Sequence, residues 1–385
     1  MKMTKEKPRI IAFYLPQYHP IPENDEWWGK GFTEWTNVAR ARPLFPGHYQ
    51  PRIPADLGFY DLRVPEVRER QAELARNAGI DGFCYWHYWF DGGRRLLERP
   101  FNEVLASGKP DFPFCLAWAN ESWYAKLWDK DARKDRLLIE QTYRGESQYE
   151  RHFHDVLPAF KDRRYIKVDG KPVFMIYKPL ASSEIPTFIA TWRRLAAENG
   201  LPGIYFIAHC NGDRKNISAY RALDVDAVNT FCLYDYRCKR NFLRKSVDYL
   251  YRHLLRKPYI VPYKRASKFF FDKNTDYDEK TCPSIITGWD HTPRSGNKGT
   301  VFTNETPAQF GLHADTVIKN TKGKFIFIKS WNEWAEGNYL EPDLKWGLAF
   351  LDVLKNVIVN SRLEWGVHQY SIELRRTTAA IRRCA

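Results

Sequence analysis

The chain has 385 residues, 44% hydrophobic and 28% charged, with a formal net charge of +14. That apolar content supports a large buried core, and no stretch nears the roughly 18 uninterrupted apolar residues that a membrane-spanning helix needs. The N-terminal run Met1–Pro8 leads straight into Ile10–Leu15, so a cleaved signal peptide is not expected, and seven cysteines, an odd count with several inside apolar runs, favour a reducing, cytoplasmic compartment.

The charge is unevenly placed. Arg237–Lys273 holds twelve Lys and Arg against two acids, and Leu374–Ala385 adds four Arg, so these two stretches account for the whole excess. A neutral body with a basic insertion and a basic tail does not look like a nucleic-acid protein, whose cations line its working face. No nucleic-acid partner is expected. Aromatic residues make up 16% of the chain, with fourteen Trp. Such density serves either a large aromatic core or flat surfaces for sugar faces, and composition leaves both open.

Short apolar runs bounded by turn residues predict strands at Arg9–Tyr14, Gly82–Trp86, Phe112–Trp118, Pro172–Tyr177, Ile204–His209, Ala227–Phe231, Ser284–Trp289 and Lys324–Trp331. Helical patterns fall between most of them, at Val64–Asn77, Leu96–Ser107, Glu146–Phe160, Ser183–Asn199, Arg214–Leu223 and Pro307–Asn320, and Asp343–Val359 follows the last strand. Eight strand–helix units argue for an α/β fold of the (β/α)8 TIM-barrel type, and Tyr14-Leu-Pro-Gln-Tyr-His-Pro20 offers no glycine-rich phosphate turn for a doubly wound sheet. One catalytic barrel is expected over residues 9–359, followed by a basic tail at 360–385. Two connections are long: Leu15–Pro65 after strand one, and the basic, aromatic insertion at 233–282 after strand six. Both fall on the C-terminal face, where barrel active sites lie.

The strand tips carry polar groups. Tyr14 and Gln17 follow strand one, and Trp86 and His87 end strand two. Trp118, Asn120 and Glu121 end strand three, and Tyr177 ends strand four. His209 and Asn211 end strand five, while Trp289, Asp290 and Arg294 follow strand seven. Many converging donors and acceptors beside aromatic rings suit a polyhydroxylated ligand. Cys84 and His87 lack companions at metal-ligand spacing, so no metal and no cofactor are expected. The Asp-x-Asp strings Asp129-Lys-Asp131 and Asp224-Val-Asp226 are weak signals of a metal-dependent sugar-nucleotide transferase.

The strongest local signal is Trp331-Asn-Glu-Trp-Ala-Glu336 at the end of strand eight, with Trp331, Asn332 and Trp334 flanking Glu333 and Glu336. On a helical or 3₁₀ turn, residues three apart project to one side. Two neighbouring carboxylates do not ionise independently, so one can serve as acid and the other as base, the pairing that glycosidic cleavage requires.

Phe13-Tyr-Leu-Pro-Gln-Tyr-His19, Gly31-Phe-Thr-Glu-Trp-Thr-Asn-Val38, Gly79-Ile-Asp-Gly-Phe-Cys-Tyr-Trp86, Trp118-Ala-Asn-Glu121, Gly288-Trp-Asp290 and Trp331-Asn-Glu-Trp-Ala-Glu336 together resemble the WbsX-type proteins of bacterial polysaccharide clusters, themselves similar to glycoside hydrolase family 99. The similarity runs from about Arg9 to Val359. It implies a barrel acting on α-linked sugars with retention. Glu333 would be the base that takes the sugar 2-hydroxyl proton, and Glu336 the acid that protonates the leaving oxygen and then activates water. The direct carboxylate-nucleophile route of ordinary retaining enzymes stays open. WbsX-type proteins also carry the glycosyltransferase label, so synthesis of lipopolysaccharide or capsule is the alternative activity, and a non-catalytic carbohydrate-binding barrel is the alternative of another class. The basic insertion is not part of the hydrolase pattern. With Phe269-Phe-Phe271, Tyr249, Tyr251 and Tyr259 beside its cations, residues 237–273 are expected to meet an anionic membrane surface or a lipid-linked glycan, peripherally at the inner membrane.

Overall fold

A computed structural model describes residues 7–125, 136–212, 214–237 and 256–361. Eight parallel strands close on themselves: β1 (Arg9–Tyr14), β2 (Gly82–Trp89), β3 (Phe114–Trp118), β4 (Lys171–Ile176), β5 (Tyr205–Asn211), β6 (Ala227–Phe231), β7 (Thr281–Ile285) and β8 (Phe325–Ile328). Each pairs with its neighbours in chain order, and β1 seals the ring by pairing with β8 (Arg9↔Phe325) and with β2 (Ile11↔Gly82). The strands are almost entirely buried, and most read as apolar runs, because both faces are covered, one by the barrel interior and one by helices.

The helices obey local chemistry. In the β1–β2 connection lie α1 (Pro22–Trp28) and α2 (Glu34–Arg40), then α3 (Pro65–Asn77), which has Pro at its first position and ends before Gly79 at φ +85°. The outer layer continues with α4 (Arg99–Ser107), α5 (Glu146–Lys161), α6 (Ile185–Glu198), α7 (Ile217–Ala222) and α8 (Pro307–Asn320). Thr306 caps α8 by accepting from the Gln309 amide at 3.3 Å. A last helix, α9, covers residues 349–361. Phe188 and Trp192 of α6 are fully buried against Phe174 of β4, one seam of the main core. No described helix is long and apolar enough to cross a membrane.

Among the strands, expectation and structure differ most at strand seven, which pairs at Thr281–Ile285 rather than Ser284–Trp289, and the last helix begins at residue 349 rather than at Asp343. Beyond Ile285 the chain leaves the barrel: Trp289 accepts from the Phe302 amide at 2.6 Å, and Asp290 bridges to Val301. That detour builds a second core. Residues Tyr259–Pro262 of the insertion pair in parallel with Thr300–Thr303, and Tyr259, Tyr263 and Phe270 pack with Phe302 and Trp289. Of the rings that the membrane expectation named, those that are described join the packing. Phe270 and Tyr259 are buried, while Phe269 and Phe271 are partly buried against the two cores, so none is the exposed ring that the membrane expectation needed. Tyr249 and Tyr251 lie outside the described residues, as do residues 362–385 of the basic tail.

Candidate active site

A cleft of ≈ 470 Å³ opens at the C-terminal end of the barrel. Its floor is set by the exit of β8. After Ile328 the chain forms a two-residue ladder, Asn332↔Tyr339 and Glu333↔Asn338, closed by a 3₁₀ turn at Trp334–Glu336. The turn needs Gly337: its φ is +57°, and a Cβ there would meet the Asp290 Cβ at 2.7 Å. The Asp290 amide donates to the Glu336 carbonyl at 2.6 Å, so the exits of β7 and β8 are locked together.

Asp290 then holds the β7 exit from below. Its Oδ2 meets His48 Nε2 and Gln50 Nε2, both at 2.7 Å, and its Oδ1 accepts from the Thr292 amide at 3.0 Å and from the Thr292 hydroxyl at 2.6 Å. These partners hold its carboxyl below the usual range despite burial. The short helical turn Thr292–Ser295 that follows carries Arg294 into the cleft.

Arg294 is the hub. Nη1 donates to Glu336 Oε1 at 2.6 Å, and Nη2 to Glu333 Oε2 at 3.1 Å and Glu34 Oε2 at 3.0 Å. Three carboxylates from two distant segments thus share one guanidinium. Glu336 also has Lys329 Nζ at 3.7 Å and His291 Nε2 at 3.8 Å. Burial first, and then the Glu336 charge, push Glu333 up to about 7, against the lowering effect of Arg294 and Lys329.

Of the residues expected at the site, Gln17, Trp86, Glu121, Tyr177, His209, Trp289, Arg294, Glu333 and Glu336 line the cleft. Trp86 stacks on Phe13 at 4.9 Å, and Tyr177 stacks on His209 at 5.2 Å. His209 Nδ1 lies 2.6 Å from Asn229 Oδ1, whose amide nitrogen is committed to Cys282 O and Ser284 Oγ. Nδ1 therefore carries the proton, and burial, holding the ring at about 4, keeps Nε2 an acceptor. Glu121 pairs with Lys178 at the rim.

The remaining expected residues support the cleft from outside its lining. Tyr14 is fully buried and donates to Gln71 at 2.6 Å. His87 turns outward to His152 of α5, Nε2 to Nε2 at 2.9 Å, and burial lowers it to about 3. Trp118 donates to the Trp89 carbonyl and packs on Phe188. Asn120 ties β3 to the Lys178 backbone, accepting at 2.7 Å and donating at 2.9 Å. Asn332 does the same for β1 through the Leu15 backbone, at 2.8 and 3.0 Å. Trp331 and Trp334 are core residues, and Trp334 donates to the buried Glu341 at 2.6 Å. Asp290 is the buried anchor already described. Asn211 is the last residue of β5, and its side chain lies outside the described residues.

Sequence reasoning missed Glu34, Tyr88, Lys329, His291 and the aromatic wall of Trp28, Phe32, Trp123 and Tyr124, all of which line the cleft. Glu34 stands inside the quoted Gly31–Val38 stretch, and the long β1–β2 connection was the signal for it. Asp224 and Asp226 pair with Arg193 at the N-terminal end of β6, opposite the cleft, and Asp129 and Asp131 lie outside the described residues. Among the described residues no cluster of three or more His, Cys, Asp or Glu is placed to hold a metal.

Residues 10–354 match the family described as Glycosyltransferase WbsX. The chain belongs to the WbsX family. WxcX proteins from two strains of Xanthomonas campestris pv. campestris are 36% and 35% identical over 91% of the chain. This WbsX chain spans about half the length of those relatives, which it covers to 50%. Among solved structures, the GH99 endo-alpha-mannosidase of Bacteroides thetaiotaomicron in complex with bis-tris propane gives a TM-score of 0.58 at 14% identity, with 92% of this chain and 97% of that one covered. A glycoside hydrolase-like protein gives 0.56 at 14% identity, covering 92% and 95%. These structural likenesses show a shared barrel.

Proposed function

We propose that this WbsX-family protein is a retaining glycosidase or transglycosylase that acts on α-linked sugars of a bacterial surface polysaccharide or its lipid-linked precursor. One observation carries the reading: Glu333 and Glu336 converge on the two amino groups of Arg294 within an aromatic-walled cleft at the C-terminal face.

Glu333 takes the proton of the sugar 2-hydroxyl. The freed oxygen attacks its own anomeric carbon, and the departing glycosidic oxygen takes the Glu336 proton, leaving a 1,2-anhydro sugar. In the second step Glu336 removes a proton from water or from an acceptor hydroxyl, which opens the ring at the anomeric carbon while Glu333 returns its proton to O2. Two inversions leave the configuration retained. A carboxyl raised to about 7 is strong enough as a base to contest a hydroxyl proton yet ionised near neutrality. Trp86, Tyr177 and Trp289 supply ring faces, and His209 Nε2 accepts from a sugar hydroxyl.

The name of the family favours transfer over hydrolysis, and the same two steps serve both, according to whether water or a sugar hydroxyl enters second. Either way no sugar nucleotide is consumed. The test is turnover of an α-linked oligosaccharide, with and without added sugar nucleotide, by the wild type and by Glu333→Gln and Glu336→Gln. The account expects nucleotide-independent product and a loss of about 10²–10⁴-fold in each variant with affinity largely kept. Strict dependence on a sugar nucleotide, or variants as active as the wild type, contradicts it.

A further inference from the structure

Glu34 is the first residue of α2 and is buried, yet it reaches the cleft. Its backbone is held firmly. The Glu34 amide donates to the Gln17 carbonyl at 3.1 Å, and the next residue, Trp35, packs on Trp334 of the 3₁₀ turn with ring centroids 5.6 Å apart. The Trp35 indole also donates to the Tyr60 carbonyl at 2.7 Å. Helix α2 is thereby docked on the turn that follows Glu333 and presents Glu336.

A guanidinium offers two planar forks, an end fork of Nη1 and Nη2 and a side fork of Nε and Nη2. Arg294 uses both. Its Nε and Nη2 converge on a single oxygen, Glu34 Oε2, at 3.2 and 3.0 Å, and Asn37 Nδ2 approaches the same oxygen at 3.4 Å. The end fork is left for Glu336 through Nη1 and for Glu333 through Nη2. Charge balance does not call for Glu34, because Arg294 and Lys329 already match Glu333 and Glu336. A further buried carboxylate is costly unless its position serves a purpose. From this geometry we infer that Glu34 is a positioning residue: it pins the side fork of Arg294, so that the end fork stays aimed at the two glutamates of the reaction.

The inference rests on the proposed glycosidase site and adds the residue that orders its acid and base. Arg294 is a long side chain on the short turn Thr292–Ser295, and among the described residues Glu34 alone holds its side fork. Glu34 acts through its charge as well. Burial and Glu336 raise Glu333, and Glu34 adds to them in the same direction, against Arg294 and Lys329. Tyr18 and Tyr88, which share these electrostatic surroundings, are kept protonated by burial, and His291 faces Glu336 instead, at 3.8 Å. Removing the Glu34 charge therefore makes Glu333 easier to ionise.

The test compares the full chain with Glu34→Gln, which keeps an acceptor oxygen without the charge, and with Glu34→Ala, which removes both. Glu34→Gln should move the rising limb of kcat/KM down by roughly half a pH unit or more. Glu34→Ala should show the same displacement and, at its own optimum, a kcat about 10–10²-fold below the wild type with KM within about threefold, as when reacting groups are misplaced but binding is kept. Carbon-13 NMR of labelled glutamate, with the Glu333 resonance assigned by its loss in Glu333→Gln, should show the lower titration midpoint in Glu34→Gln without any substrate. That reading involves no turnover, so failure here is separable from failure of the glycosidase reading. A Glu333 resonance that titrates as in the wild type overturns the inference, as does an alanine variant as active as the glutamine one. A rise in KM with kcat kept, the mark of a direct substrate contact, overturns it too. Should Glu34→Ala fail to fold, Glu34→Asp keeps the charge but withdraws the oxygen from the side fork. It should lose kcat with the limb unmoved, and wild-type kcat is the contrary result.

Discussion

Glu336 accepts a charge-assisted hydrogen bond from Arg294 at 2.6 Å, which joins the exit of β8 to the exit of β7. The same guanidinium holds Glu333 and Glu34, so its removal leaves three buried or half-buried carboxylates facing one another. Glu333 is already raised to about 7. As the base it works when ionised, so kcat/KM in the wild type should climb as pH rises through about 7. Arg294→Ala removes a cation that favours the ionised form, and the climb should move to higher pH with activity at pH 7 reduced. A pH–rate profile checks both, and an unmoved or descending limb contradicts the assignment of Glu333.

Glu341 gives a stability prediction away from the chemistry. It is buried beneath Trp334, accepting from Trp334 and Gln71 at 2.6 Å and from Tyr60 at 2.9 Å, yet burial dominates and pushes it up to about 7. A carboxyl raised in the folded state stabilises most below its unfolded value, and that contribution is lost as pH climbs from about 4.5 to 7. The loss is on the order of 3 kcal/mol for a shift of this size. The melting temperature of the wild type relative to Glu341→Gln should therefore fall between pH 5 and pH 8. Thermal unfolding at the two values reads it, and a gap that widens with pH would be the opposite of what burial predicts.

Gly337 is the joint of the turn that presents Glu336. With φ at +57° and 2.7 Å between an added Cβ and that of Asp290, Gly337→Ala must either strain the turn or part the two strand exits. A cost of about 1–3 kcal/mol in denaturant unfolding is expected, with kcat falling more than KM rises because Glu336 is displaced from its partner. An alanine variant with native stability and kcat would show that the turn is not held as described.

The chemical route is open to a substrate test. If the 2-hydroxyl is the internal nucleophile, a 2-deoxy α-glycoside should bind and remain uncleaved. If a glutamate attacks directly, the same compound should turn over or leave a sugar ester on Glu333 or Glu336, which mass spectrometry of the intact chain would reveal.

Most of the barrel could be read from the residues, because buried parallel strands are written as apolar runs and their helices carry Pro and Gly at the ends. Strand seven was misplaced by three residues. Ile285, Ile286 and Trp289 are all apolar, but the last two serve the second core, and local hydrophobicity does not say which core a side chain joins. At the site, Glu333, Glu336 and Arg294 stood out by their place after strands eight and seven. Tyr14, His87, Trp118, Asn120 and Asn332 shared that placement and yet point to structural partners, since a strand end offers two faces and the sequence does not mark which one looks into the cleft. Glu34 and Lys329 were overlooked for the converse reason. Glu34 reaches the cleft from a long connection through Arg294, 260 residues away, and Lys329 sits inside an apolar run.

The most direct measurement is the structure of Glu336→Gln with an α-linked oligosaccharide bound. The account predicts one sugar ring over Trp86 and Trp289, its 2-hydroxyl within hydrogen-bond reach of Glu333 and its glycosidic oxygen within reach of the residue 336 amide. A sugar bound elsewhere on the barrel, or one whose scissile oxygen faces neither side chain, would contradict it.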